Sequence, residues 1–144
     1  MMTTIRQILA GKPDVYAVDP DATVLDALRL LDERNVGALL VIKGGRLVGI
    51  FSERDYARRM VLHGRSSKET AVREVMTTEV FTIAPDASAG DCMAHMTDRH
   101  IRHLPVLEGG KVVGVISIGD IVRVVMEDMR FTIRQLESYI RSGG

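Results

Sequence analysis

The chain contains the same segment twice. Val15–Arg58 aligns with Val80–Arg123 at a constant offset of 65 residues and without a gap. A period this long indicates a duplicated structural unit. The approach to each copy repeats as well, since Ile5–Leu9 resembles Val72–Met76 at an offset of 67 residues. We therefore expect each half to be a complete unit that includes its own lead-in helix.

Composition favours one body built from both halves. With 144 residues, 46% of them hydrophobic, the chain can bury one core of ordinary size. Its 19 basic and 19 acidic residues cancel, which argues against nucleic acid or a membrane surface as partner. It has no run of 18 apolar residues, no apolar signal-peptide core after Met1, and one cysteine, Cys92. We expect a cytoplasmic protein.

Hydrophobic periodicity predicts the same order of elements in both copies. The first copy reads as strand, helix, strand, strand and helix, over Val15–Val18, a helix capped by Thr23 and ending near Asn35, Ala38–Ile42, Leu47–Phe51 and Glu53–Leu62. The second repeats it over Val80–Ile83, Ser88–Arg99, His103–Leu107, Lys111–Ile116 and Ile118 onward. Such units layer small sheets against helices, so the predicted fold class is α+β (α/β), with duplicated β-α-β-β-α units.

The predicted organisation has four parts. Residues 1–64 form repeat 1 with its lead-in helix, 65–71 a polar linker, 72–128 repeat 2, and 129–144 an extended C-terminal helix. Apolar residues continue at helical spacing through that extension, at Ile121, Val122, Val125, Met129, Ile133, Leu136 and Ile140. This stripe is too long for its own half to cover, so we expect it to pack on the neighbouring half or on a second subunit.

A glycine, a serine and an aspartate recur where each last strand meets its helix. They are Gly49, Ser52 and Asp55 in the first copy, and Gly114, Ser117 and Asp120 in the second. Serine and an acid three residues later form a helix cap. The same helix start can also present a carboxylate to the vicinal hydroxyls of a ribose, with the glycine admitting a ligand close to the strand. The two interpretations are compatible.

These paired motifs, together with the segment His103-Leu104-Pro105-Val106 before the second hairpin, resemble a tandem pair of CBS domains, named for cystathionine beta-synthase. The resemblance covers nearly the whole chain. It implies a Bateman module, in which two repeats pack through their sheets about a pseudo-twofold axis and leave two clefts for adenosine-containing ligands. The implied function is a non-catalytic regulatory sensor of AMP, ADP, ATP or NAD, acting as a homodimer or through an unknown effector protein. The alternative is a constitutive structural or oligomerisation module without a ligand.

The resemblance also implies roles for residues by position. Asp55 and Asp120 would bind ribose hydroxyls, with Ser52 and Ser117 beside them. The candidates to line the cleft walls are Val18, Ile83, Ala38, Arg102, Ile50 and Val115. The cations best placed for phosphate are Arg54, Arg102 and His103. Pro105, Ile118 and Gly119 complete the candidate set.

The two copies differ at positions that would touch a ligand. Arg54 corresponds to Gly119, and Gly37-Ala38 corresponds to Arg102-His103. The two clefts are therefore expected to be chemically unequal. We expect Arg102 or His103 to reach phosphate from across the pseudo-twofold axis, and Arg54 to serve its own cleft.

Neither a metal site nor catalysis is predicted. Cys92, His95, His100 and His103 have spacings that suggest zinc, but the positions of Cys92 and His95 correspond to Ala27 and Leu30, which indicates helix-core sites. The chain has no Gly-x4-Gly-Lys phosphate loop and no G-x-S-x-G elbow, and Asp55 and Asp120 belong to separate clefts.

Overall fold

The structure is a computed structural model that describes residues 3–12 and 15–143. The ends of the predicted segments 1–64 and 129–144 therefore lie outside the described residues. The first half contains α1 (Ile5–Leu9), β1 (Ala17–Val18), α2 (Val24–Arg34), β2 (Ala38–Lys43), β3 (Arg46–Ser52) and α3 (Glu53–Asp55), which continues as a π-helical turn (Tyr56–Met60) and a 3₁₀ turn (Val61–His63). The second half contains a 3₁₀ turn (Val72–Glu74), α4 (Ala89–Arg99), β4 (His103–Glu108), β5 (Lys111–Ser117) and α5 (Ile118–Gly143).

The central helices of the two halves begin and end alike. The hydroxyl of Thr23 accepts a hydrogen bond from the third backbone N–H of α2, and Ser88 does the same for α4. Both helices end on a residue in the left-handed region, Asn35 at φ 52° and His100 at φ 54°. Asparagine and histidine are among the non-glycine residues that tolerate this conformation. The predicted cap and end of α2 are confirmed.

The sheets of the two halves differ in one strand. In the first half β1 pairs parallel to β2, and the Leu40 N–H donates to the carbonyl of Tyr16 at 3.1 Å. In the second half the predicted strand over Val80–Ile83 is reduced to one bridge between Ile83 and Val106. Pro105 occupies the position of Leu40 and has no N–H, so it cannot make the equivalent bond.

The lead-in segments cross over between the halves. The Ile5 N–H of α1 donates to Ala87 O at 2.9 Å, and Ile5 is fully buried in the core of the second half. The Val72 N–H donates to Ala22 O at 2.8 Å, and Val72 is fully buried in the core of the first half. The expectation that each half carries its own lead-in is therefore wrong. Each lead-in brings the residues that follow it to the motif of the other half.

Each half has its own apolar core between its sheet and helices. Leu39, Val41 and Phe51 pack against α2 in the first half, and the second half repeats this with α4 and its hairpin. Each such fully buried side chain contributes about 1.5–3 kcal/mol relative to an exposed one. Cys92 is a core residue as predicted, whereas His95 is exposed and its core assignment is wrong.

The last helix leaves the body of the protein. Ile121, near the start of α5, is fully buried, but every described residue from Met129 to Gly143 is exposed. The stripe therefore does not pack on the neighbouring half. Across residues 3–12 and 15–143, no helix is long and apolar enough to cross a membrane.

Candidate functional site

Both strand-to-helix junctions are helix caps. Ser52 Oγ accepts the Asp55 N–H at 3.3 Å, and the Ser52 N–H donates to Asp55 Oδ2 at 2.9 Å. Ser117 and Asp120 form the same pair of bonds, at 3.2 and 2.8 Å. Both aspartates are buried, with exposures of 7% and 6%. The structural interpretation of the motif thus holds in both copies, and any ligand role depends on what else each carboxylate contacts.

A cleft of about 500 Å³ lies beside the second junction and is formed by both halves. We call it the Asp120 cleft. Its lining residues are Leu9, Lys12, Val15, Tyr16, Asn35, Val36, Gly37, Ala38, His103, Val113, Gly114, Val115 and Ser117. Eight of these residues are apolar or glycine, and five carry polar side chains, namely Lys12, Tyr16, Asn35, His103 and Ser117. Asp120 does not itself line the cleft but is hydrogen-bonded to two residues that do, Lys12 and Ser117.

Lys12 joins the lead-in of the first half to the carboxylate of the second. Its Nζ donates to Asp120 Oδ2 at 2.5 Å and to the carbonyl of Val115 at 2.7 Å. Burial is the largest influence on the pKa of Asp120 and raises it, but the hydrogen bonds from Lys12 and Ser117 together outweigh it and leave the pKa below its usual value. Asp120 is therefore ionised at neutral pH, behind an ammonium group that lines the cleft.

Sequence reasoning missed Lys12. At the offset of 67 that relates the lead-ins, Lys12 corresponds to Glu79, a reversal of charge. This reversal of charge could have indicated that the two lead-ins have different roles. It points to Asp120 only once the first lead-in is known to contact the second half.

The first junction is closed by the second lead-in. Thr77 Oγ1 donates to Asp55 Oδ1 at 3.0 Å, and Thr77 and Ile50 exchange two backbone hydrogen bonds of 2.9 and 3.0 Å. A neighbouring groove of about 310 Å³ is lined by residues such as Val48 and Val80, but neither Ser52 nor Asp55 lines it. The two junctions therefore have different surroundings in the described structure, through Lys12 at one and Thr77 at the other. This difference comes from the lead-ins and not from the aligned positions compared above, so the chemical inequality of the two clefts stays a prediction.

The junction glycines admit the protein's own side chains. A Cβ on Gly114 would lie 2.4 Å from Leu9 Cδ2, and one on Gly49 would lie 2.6 Å from Met76 Sδ. Glycine at both positions therefore allows the lead-ins to pack closely against the strands. In the described structure the lead-ins occupy the space that the sequence interpretation left for a ligand.

The predicted cations lie in different places. Arg54 Nη1 donates to the carbonyl of His100 at 3.2 Å, which holds it beside the first junction. His103 lines the Asp120 cleft together with Ser117 of its own repeat, and its ring lies beside Gly37 of the first half. Its expected contact with phosphate stays a prediction. Burial first, and then the charges of Lys12 and Arg102, lower the pKa of His103, while Asp120 acts in the opposite direction. His103 is therefore neutral at pH 7, and Arg102 is exposed outside the cleft lining.

The remaining candidates divide between cleft and core. Ala38, His103, Val115 and Ser117 meet in the Asp120 cleft, and Ile50, Ser52, Arg54 and Asp55 meet at the first junction. Four others are not wall residues, because Val18, Ile83 and Ile118 pack on the cores and Pro105 is buried in β4. Val15 and Tyr16 supply the wall expected of Val18, and Gly119 is exposed at the start of α5.

The cysteine and histidines whose spacing suggests zinc do not form a metal site with one another. Cys92 is buried in the second core, where burial raises its thiol pKa to about 11. Among residues 3–12 and 15–143 there is no group of three or more His, Cys, Asp or Glu placed to hold a metal ion.

Comparison with known proteins identifies the repeated unit. The family model of the CBS domain matches residues 5–62 and 72–127. The mitochondrial CBS domain-containing protein CBSX3 of Arabidopsis thaliana is 43% identical over 128 residues, which cover 85% of this chain and 62% of that protein. The chain thus spans less than two thirds of that relative's length.

Solved structures share the fold. A Burkholderia ambifaria protein with CBS domains has 50% sequence identity and a TM-score of 0.85, over 88% of this chain and 96% of its own. The CBS domain pair of protein MJ0100, in complex with 5′-methylthioadenosine and S-adenosyl-L-methionine, has 25% identity and a TM-score of 0.77, over 89% and 99%. That related pair therefore holds two adenosine-containing ligands. The chain belongs to the CBS-domain family and folds as one CBS domain pair, with a mixed α+β architecture.

Proposed function

We propose that the protein is a non-catalytic sensor that binds an adenine nucleotide, AMP, ADP, ATP or NAD, chiefly in the Asp120 cleft. The observation that carries this proposal is the buried, ionised Asp120 at a helix start, beside a cleft of about 500 Å³ that also contains a lysine. A carboxylate can accept both hydroxyls of a ribose, and an ammonium group suits a phosphate. The cleft volume lies within the range of about 300–1,000 Å³ typical of ligand pockets.

Binding exchanges partners at Asp120. The ribose hydroxyls replace Lys12 at the carboxylate, and the released ammonium group turns to the phosphate. The carbonyl of Val115, which now accepts from Lys12 at 2.7 Å, becomes available to an adenine amino group. Tyr16 and Val113 supply apolar wall for the base. Each polar group thus exchanges one partner for another and is not left unsatisfied, which keeps the cost of opening the site low.

The first junction is proposed as a second and weaker site. A ribose at Asp55 would have to displace Thr77, whose two backbone hydrogen bonds to Ile50 hold it in place. Arg54 is the cation beside this junction. We therefore expect unequal affinities, with the Asp120 cleft filled first.

The signal is proposed to pass through the lead-in helix. Lys12 follows α1, and α1 is bonded to the second half through Ile5 and Arg6. Releasing Lys12 from Asp120 changes how this segment is held between the halves. The output is a change in the surface offered to an effector protein or in the association of a homodimer.

Calorimetric titration with AMP, ADP, ATP and NAD tests the proposal, with S-adenosylmethionine included because a related pair binds it. Asp120→Asn keeps a hydrogen-bonding side chain at the helix cap but removes the charge that the ribose needs, and we expect about a tenfold or greater loss at the tighter site. Asp55→Asn is the matched control and should affect only the weaker site. Binding unchanged by both substitutions would refute the site assignment.

The described structure also supports a second candidate, a constitutive module without a ligand. Both carboxylates already have partners from the protein's own chain, Lys12 at Asp120 and Thr77 at Asp55. A thermal-shift titration separates the two functions, because a ligand at a hundred times its Kd stabilises the folded state by about 2.7 kcal/mol. If millimolar concentrations of all five ligands leave the melting temperature unchanged, the structural role is favoured.

A further inference from the structure

The end of α5 is a helix without intramolecular support. Every described side chain from Met129 to Gly143 is exposed, including Met129 at 60% and Ile140 at 68%. An isolated helix of this length is marginal in water, because most helical stability in proteins comes from packing an apolar face. A segment that stays helical here therefore needs a partner along its apolar side.

The exposed apolar residues follow a heptad repeat. Val122, Met126, Met129, Ile133, Leu136 and Ile140 alternate steps of four and three residues, and all are exposed by 46–68%. These are the d and a positions of a coiled-coil seam, with Met126, Ile133 and Ile140 at a. Phe131 lies off the seam, at an f position. The face is thus built for a second helix and is not simply a scatter of exposed apolar residues.

The charged residues beside the seam indicate the direction of that second helix. The e positions are Arg130 and Glu137, and the corresponding g positions are Thr132 and Tyr139. In an antiparallel pair, e positions face e positions and g positions face g positions. When Ile133 is placed against Leu136 of the other chain, Met129 meets Ile140 and Arg130 meets Glu137, each contact occurring twice by symmetry. A parallel pair would place Arg130 against Val125 and Glu137 against Thr132, without charge complementarity.

We propose that the C-terminal helix pairs antiparallel with the same helix of a second copy, through Met129–Ile140. Within the part of the chain that the structure describes, neither Arg130 nor Glu137 makes a salt bridge, so both are available to the partner. In this register Asp128, where the helix leaves the body, lies opposite position 141 of the partner. At 1.5 Å per residue the two bodies are then about 20 Å apart along the axis, which avoids a collision. Both nucleotide clefts remain outside the seam.

Charge reversal tests the proposal in the full-length chain, with light scattering and sedimentation used to measure mass and dissociation constant. The wild type is expected at twice the 15.9 kDa chain mass. Arg130→Glu and Glu137→Arg each replace two attractive pairs by two repulsive ones, and each should raise the dimer dissociation constant about tenfold or more. The double variant carrying both substitutions restores the pairs and should restore the wild-type constant. Phe131→Ala, which removes an apolar group off the seam, is the control and should leave the constant unchanged.

Disulfide trapping tests the direction independently. Ile133→Cys and Leu136→Cys are prepared separately, mixed and mildly oxidised, and the products are digested with trypsin. The cross-linked peptides are identified by mass, because Arg134 separates the two cysteines into different peptides, whereas the intact variants have equal masses. Antiparallel pairing joins the two different variants, because position 133 faces position 136 of the partner. The native Cys92 is fully buried and does not compete. Cross-links within each single variant would show a parallel pair and overturn the proposal, as would a monomeric wild type or charge reversals without effect.

The proposal stands apart from nucleotide sensing. The substituted residues are all on the free helix, so a dissociated variant keeps both clefts and should show the wild-type thermal shift with AMP. A failure of nucleotide binding would therefore leave the helix pairing intact, and a failure of pairing would leave the clefts intact.

Discussion

Replacing Lys12 by methionine should destabilise the ligand-free protein measurably. Lys12 Nζ bonds to Asp120 Oδ2 and to the Val115 carbonyl, and its side chain is 27% exposed against 8% for Asp120. Methionine keeps much of the packing volume but donates no hydrogen bond. The substitution therefore isolates the contribution of the ammonium group.

The expected loss follows from what remains around Asp120. Removing one partner of a fully buried ion pair costs about 3–5 kcal/mol, because the other charge is left uncompensated, whereas one hydrogen bond to a charged group is worth about 1.5–3 kcal/mol. Asp120 keeps the N–H of Ser117 at 2.8 Å and Arg123 at 3.3 Å, so the lower range applies. We expect a loss of about 2 kcal/mol, which lowers the melting temperature by about 4–8 °C in a domain of this size.

A double-mutant cycle with Asp120→Asn measures the interaction itself. Urea denaturation of the wild type, Lys12→Met, Asp120→Asn and the double variant should give a coupling energy of about 1–2 kcal/mol. The pKa of Asp120 is depressed in the folded state, so its contribution is present above the unfolded value and is lost as pH falls through the lower, folded value. The difference between wild type and Lys12→Met should therefore shrink in acid. A coupling energy near zero at pH 7 would refute the assignment of Lys12 as the partner of Asp120.

Two further substitutions probe the lead-ins and the cleft. Gly49→Ala should lower the free energy of unfolding, measured by urea denaturation, by about 1–3 kcal/mol, because the new Cβ lies 2.9 Å from the Thr77 carbonyl oxygen. Gly114→Ala should cost less, because its Cβ meets only the flexible Leu9 side chain. Equal losses at the two positions would contradict this explanation. The folded state holds the pKa of His103 below its usual value, so wild-type stability should fall as pH drops below about 6.5 towards that lowered pKa. His103→Gln should flatten the profile in that window, and a profile unaltered by the substitution would show that another group titrates there.

The repeat predicted local structure well because local structure depends on nearby residues. Thr23 and Ser88 sit at matched positions before helices with the same period, and the two Ser and Asp pairs cap helices in the same way. The family resemblance also followed from aligned residues. The predicted strand over Val80–Ile83 is reduced to a single bridge because Pro105, in the strand that it would pair with, has no N–H to donate. The residues of the predicted strand itself give no indication of this.

The candidate site was less predictable because its decisive contacts are between segments distant in sequence. Lys12 and Asp120 are separated by 108 residues, and no local pattern joins them. Assigning each lead-in to its own half left the approach of Lys12 to Asp120 unpredicted. Val18 and Ile83 were likewise expected to line the cleft walls. In the structure their side chains pack on the apolar cores instead.

The crossing of the lead-ins explains why two nearly identical motifs have different environments. Within the copies Ser52 and Asp55 match Ser117 and Asp120, so the repeat alone makes equivalent carboxylates. Arg59 and Arg123 on their own helices also approach Asp55 and Asp120. The partners that differ in kind come from the segments before the copies, which align at a different offset. One segment delivers the Lys12 ammonium group to Asp120, and the other delivers the neutral hydroxyl of Thr77 to Asp55, fixed by backbone pairing. The chemical difference between the two sites therefore arises outside the repeated Ser and Asp motif. Exchanging the two lead-in segments should accordingly exchange the nucleotide affinities of the two sites.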